Sequence, residues 1–291
     1  MVKANEDEAL KQVNRSGFPF QLRVEAEVRS SSERHDWSVA SREHPWVNPQ
    51  TSSFGFIDLV LEHKQYSTFR MVIECKRVKA DDARQLRWVF LLPDHELKPT
   101  EIATCLEVEG RANTHIQPPP LTDIRLWDNV RSVPASLQSE FCVLPNDEQR
   151  RQPILESLSV EVLESVEGLA QEEVSIVKSN GPPYILRLFI FPVIVTNAEI
   201  AVCRFTAKMV NIEDGTLSAS NAEISSVPFI RFRKSLATGF PDRSVRDLQS
   251  ASRARERTVF VVNAACISDF LSGWQVNPLD AMDGFAIQRI P

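Results

Sequence analysis

No apolar run in this 291-residue chain approaches the ~20 residues needed to cross a bilayer, so no membrane partner is expected. Cysteine is scarce and scattered: Cys75, Cys105, Cys142, Cys203 and Cys266 form no Cys-x-x-Cys pair, so neither a zinc site nor a disulfide framework is expected. Several of them lie inside apolar runs, where cysteine acts as a small hydrophobe. The five histidines show no metal-ligand spacing. The opening residues are polar and acidic, unlike a secretory leader, so a reducing, cytoplasmic setting is expected. Excess positive charge is missing too: the net charge of -6 argues against a protein that coats nucleic acid, although a local grip remains open. There is no internal repeat.

What is present is an ordinary globular composition, 43% hydrophobic and 25% charged, in a chain long enough for a sizeable core. A single domain over residues 1–291 is expected. Helices are expected over 5–16 and 147–178, with strands over 54–62, 69–77, 87–92, 184–196, 199–205 and 258–262. Pro192 inside the long apolar run implies an edge strand or a bulge. Residues 80–145 read as an insertion or long irregular region, with Pro118-Pro119-Pro120 in its middle. Residues 228–257 carry eight basic residues against three acidic ones and read as a basic loop region. Helices interleave with strands throughout, so the fold class is α/β, a mixed central sheet flanked by helices.

The most informative stretches are Phe56-Ile57-Asp58-Leu59-Val60-Leu61 and Met71-Val72-Ile73-Glu74-Cys75-Lys76. Each is a buried-strand pattern interrupted by charge, and a buried carboxylate is costly unless something compensates it. The polar His63–Thr68 link is short, so the two strands pair as an antiparallel hairpin. Glu74 and Lys76, two apart on a strand, share a face. A divalent metal compensates two carboxylates, and a lysine beside it can hold water or phosphate. The alternative is an exposed Glu74/Lys76 pair on a sheet rim, worth little. The apolar residues directly flanking Glu74 argue for depth.

Asp58 together with Glu74-Cys75-Lys76 resembles the signature of the PD-(D/E)XK nuclease superfamily, with Ile57 standing where the name motif has proline. The segment from Gly17 to Asp36, followed by Trp37-Ser38-Val39-Ala40, is similar to that family's opening helix and strand. On that basis residues 20–33 are expected to be helical, although Phe20, Leu22, Val24, Ala26 and Val28 also alternate as a strand would. The resemblance implies a restriction-endonuclease-like core and a Mg²⁺ (or Mn²⁺) ion on Asp58 and Glu74. It implies Lys76 as the residue that positions water or stabilises the phosphate. The first-helix acid would be Glu25, with Glu27 less favoured and Gln21 as the alternative equivalent. Glu43 is a secondary acidic candidate.

The expected activity is metal-dependent cleavage of DNA, in restriction, repair or, by preference, phage defence. A homodimer and a helicase or sensor partner are expected from the same resemblance. Phosphate contacts are assigned to Lys79, Arg84 and Arg87, and to Arg231, Arg233 and Lys234 of the basic segment. A catalytically inactive or partner-activated subunit of the same fold is the alternative, against which the intact Asp/Glu/Lys set speaks. An unrelated α/β interaction protein is the third reading.

Overall fold

The computed structural model describes residues 2–48, 52–78, 87–94, 104–109, 113–115, 130–144, 154–179, 185–235 and 256–276. Two helices open the chain, α1 (Val2–Arg15) and α2 (Phe18–Ser30). Pro19 sits in the first turn of α2, where its missing N–H costs nothing. Gln21, Val24, Glu25 and Val28 are the buried residues of α2. Their i, i+3, i+4, i+7 spacing is why the segment is a helix despite its alternation. The buried stripe is half polar, and those two polar residues concern the site described below.

A meander follows: β1 (Trp37–Asn48), β2 (Ser53–His63) and β3 (Phe69–Lys76). β2/β3 is antiparallel, as the short polar His63–Thr68 link implied, and so is β1/β2. Later come α3 (Ile154–Ser179), β10 (Ile185–Thr196), β11 (Glu199–Phe205), β13 (Phe229–Ser235), β14 (Glu256–Asn263) and α4 (Ile267–Ser272). The main sheet runs β1-β2-β3-β10-β14-β13-β8, where β8 is Leu137–Ser139. It is mixed: β3, β10 and β14 are mutually parallel. A second sheet, ordered β12-β11-β4-β9, uses β12 (Ala222–Ser226), β4 (Arg87–Pro93) and β9 (Phe141–Val143).

Two cores flank the main sheet. On one face Val24 and Val28 of α2 and Ile267, Phe270 and Leu271 of α4 pack with Leu59, Leu61 and Ile73. On the other, α3 and the second sheet pack with Val60, Val72 and Ile194. The apolar stripe of α3, including Leu155, Leu158, Val162, Val166 and Leu169, lies in that second core.

Three expectations change. Pro192 is not on an edge: β10 is flanked by β3 throughout its second half. Its other side is paired with β5 (Thr104–Glu109) up to Ile190 and with β14 from Val193. Pro192 falls in the gap between those partners, where no ladder bond is lost. The 80–145 region is not a separate irregular insertion over its described part. It supplies β4, β5, β6 (Asn113–His115), β7 (Val130–Ser132), β8 and β9, woven into both sheets and into a third, two-stranded one in which β7 pairs with β15 (Gln275–Val276). The 228–257 region is a loop only in part, since 229–235 and 256–257 lie on antiparallel strands. Residues 236–255, with Arg243, Arg246, Arg253 and Arg255, lie outside the described residues, as do 80–86 and 145–153.

Gly168 shows how α3 meets the sheet. A Cβ there would lie 2.9 Å from the Trp46 ring and 3.2 Å from the Val47 carbonyl, so the bare Cα lets β1 approach. Alanine is the better helix former by about 1 kcal/mol. Gly168→Ala is nonetheless expected to lower the melting temperature, because a rigid indole and a backbone oxygen must give way, at about 1–3 kcal/mol. A thermal melt that rises instead would show the contact to be loose.

Candidate active site

The sheet brings three carboxylates into a row. The β2/β3 register pairs Leu59 with Ile73 and stops there, so Asp58 is next in line to oppose Glu74. The β1/β2 register pairs Arg42 with Leu59 and His44 with Ile57, which sets Glu43 opposite Asp58. Where the β2/β3 ladder stops, the Asp58 carboxylate takes over: its Oδ2 accepts the Cys75 backbone N–H at 2.6 Å. The β3 register with β10 puts Lys76 beside Thr196, and Thr196 beside Asn263. The site therefore lies at the carboxyl ends of three parallel strands, the end at which α/β sheets generally take ligands.

Local backbone explains why β1 and β2 are not simple alternating strands. Arg42 reaches Glu25 on α2, whereas His44 bonds Glu172 on α3. Residues two apart in a strand share a face, so β1 changes face between them. Glu43, between the two, has φ +48°, the left-handed region that a side chain rarely adopts. β2 does the same: Leu59 belongs to the α2-side core and Ile57 to the α3-side core. Strained backbone of this kind clusters at functional sites, and here it also turns β1 from one face to the other.

Gln21 closes this corner. Its Nε2 donates to Glu43 Oε1 at 2.5 Å and to the Asp58 carbonyl at 3.0 Å, from a side chain only 5% exposed. Glu25 is elsewhere. Its Oε1 accepts from Arg29 Nε at 2.9 Å and Nη2 at 2.8 Å, and Arg42 stands 3.6 Å from its Oε2. Two guanidinium groups already neutralise it. Of the three first-helix candidates, Gln21 touches the carboxylate row, Glu25 does not, and Glu27 pairs with Arg23 at 2.8 Å. Glu25→Gln is thus expected to cost folding stability, while Gln21→Ala is expected to lower activity about tenfold or more by freeing Glu43. Parallel measurements of melting temperature and turnover on both variants separate these roles.

The electrostatics agree with the geometry. Burial pushes the Asp58 carboxyl up to about 6, against the Cys75 amide; Glu43 and Glu161 raise it further and Lys76 lowers it. Burial pushes Glu74 up to about 8, with Asp58 and Glu161 adding to the rise and Lys76 opposing it. Glu161 comes from α3, toward which Glu74 and Lys76 point, since Arg70 and Val72 on the same side of β3 meet Glu173 and the α3 core. Burial also holds the Cys75 thiol protonated, so it is no nucleophile.

Sequence reasoning placed Asp58, Glu74 and Lys76 together, and the structure does so. It gave Glu43 a minor part and missed Glu161, whose helical position carries no motif. Asn197, just after β10, carries no motif either. Asn197 accepts the Val78 N–H at 2.6 Å and donates to the Val78 carbonyl at 3.0 Å, holding the chain as it leaves β3. The expected phosphate contacts are not gathered here. Arg87 is on the second sheet, paired with Glu199 at 2.8 Å. Arg231 bonds the Ser136 carbonyl and Arg233 pairs with Glu140 at 2.8 Å, both on β13 with Lys234, three strands from β3. Lys79 and Arg84 lie outside the described residues.

Among the described residues no three Asp, Glu, His or Cys side chains form a ready-made metal cage. Mg²⁺ does not need one. It is held by one or two carboxylates, completed by water and substrate phosphate. An all-oxygen pair, Asp58 and Glu74, opposed among the described residues by Lys76, suits such a hard cation. Among the described residues no helix is long and apolar enough to cross a membrane. No protein-family model, no curated protein and no solved structure matches this chain.

Proposed function

We propose that the chain is a Mg²⁺- or Mn²⁺-dependent phosphodiesterase acting on DNA, on a restriction-endonuclease-like core. The observation that carries it is the row Glu43, Asp58, Glu74 across β1, β2 and β3, with Lys76 on the face of Glu74. Asp58 and Glu74 would hold the metal. A bound Mg²⁺ would supply Lewis acidity and a more acidic water. Lys76 would bear its charge on the phosphoryl oxygens, where negative charge grows as water adds and the P–O ester bond breaks. Gln21 holds Glu43 and the Asp58 backbone in position for this task. A cytoplasmic role in phage defence, as a homodimer or with a helicase or sensor partner, is the setting this reading favours.

The test is incubation with plasmid and linear DNA, with and without Mg²⁺ or Mn²⁺, beside Asp58→Asn. Metal-dependent cutting lost in the variant supports the reading. Equal cutting by both forms would sink it. Tight metal binding without cutting would instead support the partner-activated or inactive subunit.

A further inference from the structure

A cavity of about 750 Å³ opens far from the carboxylate row, at the end of the second sheet. It lies where β4 and β11 finish. These two strands are parallel, and the carboxyl ends of parallel strands are where α/β sheets take ligands. Its volume falls in the range of small-molecule sites. Leu92 and Leu137, which also pack against the α3-side core, give it an apolar floor, and Phe205 and Met209 line it beside them. Such a lining suits a flat, uncharged ring system.

Polar side chains make up more than half of the lining, and three of them carry charge: Asp94, Arg204 and Glu223. Arg204 and Glu223 are direct cross-strand partners of β11 and β12 and both line the cavity. They nonetheless form no ion pair with each other, and among the described residues no carboxylate pairs with Arg204. Asp94 uses Oδ1 to accept the Ala207 N–H at 3.1 Å, which leaves its second oxygen for another donor. A guanidinium without a partner is suited to an oxyanion, and bidentate geometry favours phosphate. Carboxylates such as Glu223 and Asp94 are suited to the hydroxyls of a ribose.

We infer that this cavity is a second, non-catalytic site for a ribonucleoside monophosphate, with its phosphate on Arg204, its ribose hydroxyls on Glu223 and Asp94, and its base against Phe205 and Met209. The assignment is independent of the phosphodiesterase reading, since none of its residues belongs to the carboxylate row.

Calorimetric titration of the full chain with AMP, dAMP, adenosine and inorganic phosphate tests it. AMP is expected to bind, with each of the other three about tenfold weaker or more. Arg204→Gln is expected to weaken AMP about tenfold or more with an unchanged melting temperature, because the side chain is exposed. Asp58→Asn is expected to leave AMP binding unaltered. No AMP binding at millimolar concentration would overturn the assignment, and so would phosphate binding as tightly as AMP. Loss of AMP binding in Asp58→Asn rather than in Arg204→Gln would place the ligand at the carboxylate row and equally overturn it.

Discussion

Lys76→Ala is expected to lower metal-dependent DNA cleavage by about two to three orders of magnitude, the scale of losing one group that stabilises transition-state charge. The side chain shares a strand face with Glu74 and opposes the rise in protonation of both Asp58 and Glu74. Removing its charge therefore has two effects of known sign. It takes a cation from the phosphoryl oxygens, and it pushes both carboxyls further up. The residual activity should accordingly rise with pH over a higher range than in the wild type, because the carboxylates must ionise before they bind metal. Lys76→Arg keeps the charge and should retain the wild-type pH profile while losing turnover to altered geometry. A full pH–rate profile of the three proteins checks this. An unshifted profile in Lys76→Ala would mean that Lys76 does not bear on the carboxylates. Unchanged activity in that variant would remove it from the reaction.

Glu74→Gln is expected to stabilise the metal-free protein at pH 8 and to leave it nearly unchanged at pH 4. The folded state holds protons on Glu74 and Asp58, up to about 8 and about 6, that the unfolded chain releases near pH 4. Between those limits the folded state binds more protons, so wild-type stability falls as pH rises. His35 and His63, whose pKa values burial lowers, contribute the opposite slope below about pH 6.5. Both are present in wild type and variant, so the difference between the two proteins isolates the glutamate. The gap should open steadily from pH 4 to pH 8 and reach a few kcal/mol, on the order of 2–4. Mg²⁺ should narrow it by stabilising the wild type alone, through binding to the folded state. Melting curves across pH, with and without Mg²⁺, measure this. A constant gap would show that Glu74 is not strained by its surroundings. Glu43 and Glu161 contribute to that strain, so Glu161→Gln should raise stability in the same direction with a smaller amplitude, its side chain being exposed.

The sequence by itself determined the parts whose signal is local. Apolar runs around Asp58 and Glu74 and the short polar His63–Thr68 link were enough for two antiparallel strands. Period two then put Glu74 and Lys76 on one face, and helical spacing made α3 amphipathic. Only the tertiary structure decided what depends on distant partners. The same alternation in Phe20–Val28 is a helix because its i, i+3, i+4, i+7 stripe packs against the sheet. Gln21 rather than Glu25 meets the carboxylates because Arg29 and Arg42 occupy Glu25. Glu43 enters through a positive φ that turns β1 over, and Glu161 through the direction in which α3 crosses β3. A charge pattern along a chain carries no information about which charges a fold will bring within a few ångströms. That is why the basic residues of 228–235, conspicuous in sequence, lie three strands away, while an uncharged glutamine completes the corner.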